Sequence, residues 1–170
     1  MSTMVATITV RRALASDAAR IAAIWNREVR DTLATTDTEP RTAAAQRAWL
    51  AAHTPAYPVL VAVVDDEIAG FAALAAYRPK PAFAHTVEDS IYVDEAWRGR
   101  GVGRRLLADL VDAAVAAGHH SMLARITVEN LASRGLHEAA GFRLVGVEEA
   151  VAFKLGRWLD VALYQRRLYV

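Results

Sequence analysis

The chain has 170 residues, 54% of them hydrophobic, which is the length of one domain and enough apolar material for a core. Its 20 Lys and Arg stand against 19 Asp and Glu, a net charge of +1 that leaves no electrostatic footprint for nucleic acid. The absence of cysteine excludes a disulfide framework, a thiolate metal site and a cysteine nucleophile, and fits a cytoplasmic setting.

No charged leader followed by an apolar run opens the chain, and no stretch nears about 20 uninterrupted apolar residues, so neither signal peptide nor membrane span is expected. Alternating apolar residues from Val5 to Arg11 predict a strand. Ser16 and Asp17 offer N-caps for a helix over Ala18 to Arg30, with Ile21, Ile24 and Trp25 on one face. Thr35 to Pro40 is polar and turn-like, and Thr42 caps a second helix reaching His53, with Trp49 and Leu50 inward. Val59 to Val64 and Ile68 to Ala76 form a hairpin around Asp65-Asp66. Arg78-Pro79-Lys80-Pro81 is a stiff basic loop, because proline fixes φ. A strand follows over His85 to Val93, then a helix over Gly101 to Ala117 that Gly118 stops. Met122 to Val128 is a strand, Asn130 to Ala140 a short helix, and a further strand runs from Gly141-Phe142 to about Lys154. Gly156-Arg157-Trp158 makes a tight return into a last strand over Val161 to Leu168. This order describes one mixed α/β domain over 1–170, without repeat or linker.

Function concentrates where the strand ending at Val93 meets the run Arg98-Gly99-Arg100-Gly101-Val102-Gly103. An amphipathic helix starts there at once, with Leu106, Leu107, Leu110, Val111 and Ala114 at helical spacing. Glycines let the backbone approach an anion, and the free N–H groups and dipole of the first helical turn favour its charge. A phosphorylated cofactor is the ligand this recipe predicts. The glycine spacing departs from the dinucleotide fingerprint, since Arg104 stands where its last glycine belongs, and Arg104-Arg105 replaces the Lys-Ser/Thr of a P-loop. A plain strand-to-helix turn is the other reading.

Arg98, Gly101 and Gly103 match R/Q-x-x-G-x-G/A, and the run resembles the acetyl-CoA signature of the GNAT acetyltransferase superfamily. A second segment, Asn130 to Phe142, is similar to the next acetyl-CoA motif of that family. Thr86 to Val93, Leu136-His137-Glu138, Phe153 to Val161 and Ile24-Trp25-Asn26 through Pro40 resemble the phosphinothricin/methionine sulfoximine acetyltransferase branch, so the likeness covers about Ile8 to Leu168. The resemblance implies a GNAT fold, a mixed and mostly antiparallel sheet flanked by helices, with strands 4 and 5 splayed apart. It implies acetyl-CoA as co-substrate, a small-molecule amine as acceptor, and a homodimer. The pantetheine arm would lie in the splay against the backbone of Ile91 and Val93, with Asn130 and Ser133 at its side. Gly99, Arg100, Val102 and Arg104, with Arg98, Gly101, Gly103 and Arg105, would surround the phosphates.

The chemistry of acetyl transfer to an amine needs a base, an oxyanion stabiliser and a proton for the leaving thiolate. Glu88 is the candidate base, because it lies just upstream of apolar Ile91 and Val93, where partial desolvation raises a carboxylate's pKa. The branch resemblance also implies a glutamate base there; a surface ion pair is the plainer reading. His137 stands where many relatives carry a tyrosine that protonates the thiolate, and acid, base and structural roles are all open to it. Arg78 and Lys80 are candidates for a substrate carboxylate, with Tyr77 beside them, unless the loop is simply solvated. His53, His85 and His119-His120 have no adjacent ligand set, so no metal is expected. Leu155 and Leu159 depart from the branch pattern near the substrate end and leave the acceptor open. Rival readings are a GNAT enzyme for a protein N-terminus, polyamine or aminoglycoside, and a CoA-binding module without turnover.

Overall fold

The computed structural model describes residues 7–169, in the order β1 (Thr9–Arg12), α1 (Ala18–Asp31), α2 (Ala43–Ala51), β2 (Val59–Val64), β3 (Glu67–Ala76), β4 (Thr86–Val93), α3 (Val102–Ala116), β5 (Ser121–Thr127), α4 (Leu131–Ala139), β6 (Arg143–Lys154) and β7 (Arg157–Arg167). Seven strands form one sheet in the order β1-β2-β3-β4-β5-β7-β6, antiparallel except between β4 and β5. Strand residues point alternately to opposite faces. Val59, Val61, Phe71 and Ala73 therefore meet Ile21, Ile24, Trp25 and Val29 of α1 on one side. Leu60, Ala62, Leu74 and Val87 meet Leu106, Leu107, Leu110 and Val111 of α3 on the other.

Two boundaries differ from the sequence reading by four residues, and the second helix ends at Ala51, short of His53. The first strand starts at Thr9; β2 turns away after Val64, which leaves Thr7 and Ile8 outside the ladder, and Val5 and Ala6 lie outside the described residues. The last return is tighter than expected. Leu155 and Gly156 both have positive φ, 49° and 78°, which closes a two-residue turn, so Arg157 and Trp158 already pair with Lys154 and Phe153. Asp65 and Asp66 build the β2–β3 turn the same way, at φ 49° and 64°.

The feature that positions the site is the parting of β4 from β5. They pair only through Thr86–Ser121, Val87–Met122 and Glu88–Leu123. Beyond Glu88 each stays held by its outer neighbour, β4 by β3 as far as Val93 and β5 by β7 as far as Thr127. A gap opens between two well-anchored strands.

Candidate active site

Two cavities meet in that gap. One, of about 750 Å³, runs from the glycine turn at Gly99–Gly103 along Ile91–Val93 to Asn130 and Ser133. The other, of about 310 Å³, holds Glu88, Asp89, Arg125, His137 and Glu148. Ile91, Tyr92, Thr127, Asn130 and Ser133 line both.

The larger cavity is built for an elongated ligand with an anionic end. Gly101 sits at φ +85° as the N-cap of α3, a conformation that costs a side-chain-bearing residue strain. Arg105 makes the helix's first backbone bond, to the Gly101 carbonyl at 3.0 Å, so the N–H groups of Val102, Gly103 and Arg104 precede any intrahelical partner. Gly103 serves packing: a Cβ there would stand 3.3 Å from Leu136, so its absence lets α3 and α4 close on one another. Along β4, Asp94 donates to Ala69 of β3 at 2.9 Å. Alternation then turns the backbone groups of Ile91 and the N–H of Val93 toward the gap, where an extended ligand could lie as a false strand. Asn130 caps α4, its Oδ1 accepting from Ser133 N–H at 3.1 Å, which leaves its amide N–H groups for a ligand.

The arginines divide their work. Arg98 lines the cavity but is braced, its Nη2 2.5 Å from the buried Glu28 carboxylate and its Nε donating to the Val93 carbonyl at 3.1 Å. Arg100 lies over the Trp97 ring at 5.2 Å, and Arg105 pairs with Asp109 one helical turn on. Arg104 lines the cavity.

In the smaller cavity Glu88 is half-buried, and its carboxyl is pushed above the ordinary value of 4.5. Burial is the main cause; Asp89 and Glu148 add to it, and Arg125, with Nε 3.6 Å from Glu88 Oε2, opposes it. On the opposite face of β4, Asp89 meets His137 of α4 with both side chains almost wholly buried, Oδ1 to Nε2 at 3.1 Å. His137 Nδ1 lies 2.8 Å from the Ser133 carbonyl, which can only accept, so Nδ1 carries a hydrogen. Nε2 would then face the carboxylate with a bare lone pair unless a proton sits between them. Burial works against a charged imidazole, but Asp89's hydrogen bond and charge and the Ser133 carbonyl outweigh it and raise the His137 pKa. The pair holds a proton at the wall of the cavity, and Asp89 Oδ2 has no hydrogen-bond partner among the described residues.

Glu88, His137, Asn130 and Ser133 thus come together. Tyr77, Arg78 and Lys80 do not join them: Arg78 stacks over Tyr77 and Phe83 at 4.9 and 5.5 Å on the β3–β4 loop, and none of the three lines either cavity. Residues the sequence reading passed over are Asp89, Arg125, Glu148 and Lys154. The buried Lys154 ammonium donates to the carbonyls of Glu28 and Thr35 at 3.2 and 2.7 Å, tying the end of β6 to the loop that walls the smaller cavity. A lone charge within the apolar run Met122-Leu123-Ala124-Arg125-Ile126 was the available signal for Arg125.

A sequence profile of the Acetyltransferase (GNAT) family matches residues 21–142. The chain belongs to the GNAT acetyltransferase family. This GNAT enzyme is 41% identical over 167 residues to the phosphinothricin N-acetyltransferase of Streptomyces coelicolor, covering 96% of this chain and 98% of that one. It is 38% identical to the L-methionine sulfoximine/L-methionine sulfone acetyltransferase of Salmonella typhimurium, with 95% of each chain covered. Its fold matches, at a TM-score of 0.91 and 37% identity over 96% of this chain and 89% of the other, a GNAT phosphinothricin acetyltransferase from Sinorhizobium meliloti solved in complex with acetyl-CoA. The expected GNAT fold and the expected use of acetyl-CoA both stand, and the glycine turn, the open edge of β4 and the Asn130 amide are the features that fit it.

Proposed function

We propose that this acetyltransferase moves the acetyl group of acetyl-CoA directly to the α-amino group of a small amino-acid analogue, of the phosphinothricin or methionine sulfoximine/sulfone kind, within a ternary complex. The observation that carries the reading is the meeting of the two cavities at the β4–β5 gap with Glu88 in the smaller one. A donor thioester threaded from the glycine turn and an acceptor amine beside Glu88 would face each other there. The kinds of acceptor come from the names of the relatives.

In this mechanism the acceptor ammonium gives up two protons. Glu88, its pKa raised toward that of its target, takes one and passes it to solvent. The freed amine attacks the thioester carbonyl, whose developing oxyanion is met by backbone N–H at Ile91. The C–S bond breaks, the CoA thiolate takes a proton from the Asp89–His137 pair, and the second proton shed by the acceptor nitrogen restores that pair. Arg98, Arg100 and Arg104 supply positive surroundings to the phosphates, and Asn130 and Ser133 hold the pantetheine arm. The Arg78–Lys80 loop begins where β3 ends, two residues past the row that pairs Ala75 with Glu88, so its charge acts from outside the cavity.

We further propose a homodimer formed through β6. That strand ends the sheet, and Leu144, Val145, Val147, Val151 and Phe153 are all about half exposed on it.

CoA release from acetyl-CoA, measured with methionine sulfoximine, methionine sulfone, phosphinothricin, ordinary amino acids and polyamines, tests the acceptor class. Turnover on the sulfoximine, sulfone or phosphinothricin group is expected. Turnover confined to polyamines, or none with any amine, would overturn the reading.

A further inference from the structure

Arg125 is out of place by the logic of its own strand. β5 is central, and its residues are buried except at this position. Though Arg125 is flanked in the chain by buried Ala124 and Ile126, its side chain stays 35% exposed, so its head group is held by charged partners and not by packing. Its head group enters the smaller cavity, where Nη1 donates to Glu148 Oε2 at 2.9 Å and Nε stands 3.6 Å from Glu88 Oε2. Nη2 makes no hydrogen bond among the described residues.

A carboxylate base and a guanidinium stand side by side at the place where the amine must sit. That is the charge pattern of an α-amino acid reversed. In such an acceptor the ammonium and the carboxylate hang from one carbon, so a molecule with its ammonium on Glu88 brings its carboxylate beside Arg125. A simple amine in the same pose lacks the carboxylate that would meet the guanidinium. The guanidinium also presents paired N–H groups in the plane a carboxylate prefers. Glu148, on the exposed edge strand, accepts from Nη1, which leaves Nη2 for a further acceptor.

We infer that Arg125 is the specificity-determining residue that takes the α-carboxylate of the acceptor, so that this enzyme's acceptors are α-amino acids and not simple amines. The inference rests on the proposed amine acetylation in this cavity and names the group by which the acceptor is read.

The test compares an acid with its own carboxamide and its decarboxylated amine, beginning with methionine sulfone or, failing that, whichever amino acid the full-length protein acetylates best. The acid is expected to lead both in kcat/KM by about 100-fold, the scale of a charge-assisted hydrogen bond between site and ligand that the other two acceptors cannot make. The carboxamide has the more readily deprotonated amine, so this preference runs against intrinsic reactivity. Arg125→Gln should shrink the acid-over-carboxamide ratio by about 10- to 100-fold, mainly through KM of the acid, and Arg125→Lys should restore part of it. Any effect of Arg125 on Glu88 moves both acceptors together and cancels in the ratio. A wild-type enzyme that uses acid and carboxamide equally, or a ratio unchanged in both Arg125 variants, overturns the inference and leaves amine acetylation standing. Acetyl-CoA binding without acetylation of any amine overturns the acetylation reading itself, and the inference with it.

Discussion

At Glu88, burial holds the proton on and the Arg125 guanidinium pulls it off, and burial wins. A base with a raised pKa is protonated, and idle, at pH values where an ordinary glutamate is already charged. The acid limb of kcat/KM should therefore lie above the usual carboxylate value of 4.5. Glu148→Gln removes a neighbouring negative charge and should move that limb to lower pH. Glu88→Gln should cut kcat by about 10²- to 10⁴-fold while acetyl-CoA affinity, read by calorimetry, stays within about twofold. Equal rates for the two proteins across pH would remove Glu88 as base. Glu88 was legible from its place before Ile91 and Val93. Of the influences that tune it, Asp89 is its neighbour in the chain, but Arg125 and Glu148 were not legible, because they reach it through strand pairing and through the gap.

Among the elements, the turn into α3 carries the most function. Its geometry depends on Gly101, whose φ of +85° starts the helix and whose missing side chain keeps the anion end of the cavity clear. Gly101→Ala should cost about 1–2 kcal/mol of stability, because a Cβ is strained in that conformation. Gly101→Glu adds bulk and negative charge to the cradle and should abolish acetyl-CoA binding in a protein that still folds. Unchanged affinity in that variant would refute the cradle. The Arg98–Glu28 pair and the Lys154 ammonium show a second use of charge at this scale: they tie the turn, α1 and the end of β6 to one another. Arg98 reads as a phosphate ligand by motif, and its partner Glu28 is 70 residues away in the chain.

For the whole molecule, the sheet ends in a long strand with little covering either face. β6 is exposed along most of its length, and a charged residue at its centre should break any pairing of two copies there. Wild-type protein is expected to sediment at twice the chain mass, and Val147→Lys combined with Phe153→Glu at the mass of one chain. A monomeric wild type, or a dimer that survives both changes, would exclude β6 as the interface.

The order of elements, the hairpin at Asp65-Asp66, the glycine turn and the caps at Thr42 and Asn130 were determined by the sequence alone. Each depends on periodicity, on φ or on a hydrogen bond within a few residues, and such forces act before any distant contact exists. What only the tertiary structure decided is which charges meet. β4 and β5 part after three rows because β3 and β7 hold them, and the parting brings Asp89 against His137 and Arg125 between Glu88 and Glu148. The basic loop at Arg78 and Lys80 has the composition of a carboxylate site, but the fold turns it onto Tyr77 and Phe83. Position in a sheet sets where a long side chain ends, and that depends on strands far apart in the chain.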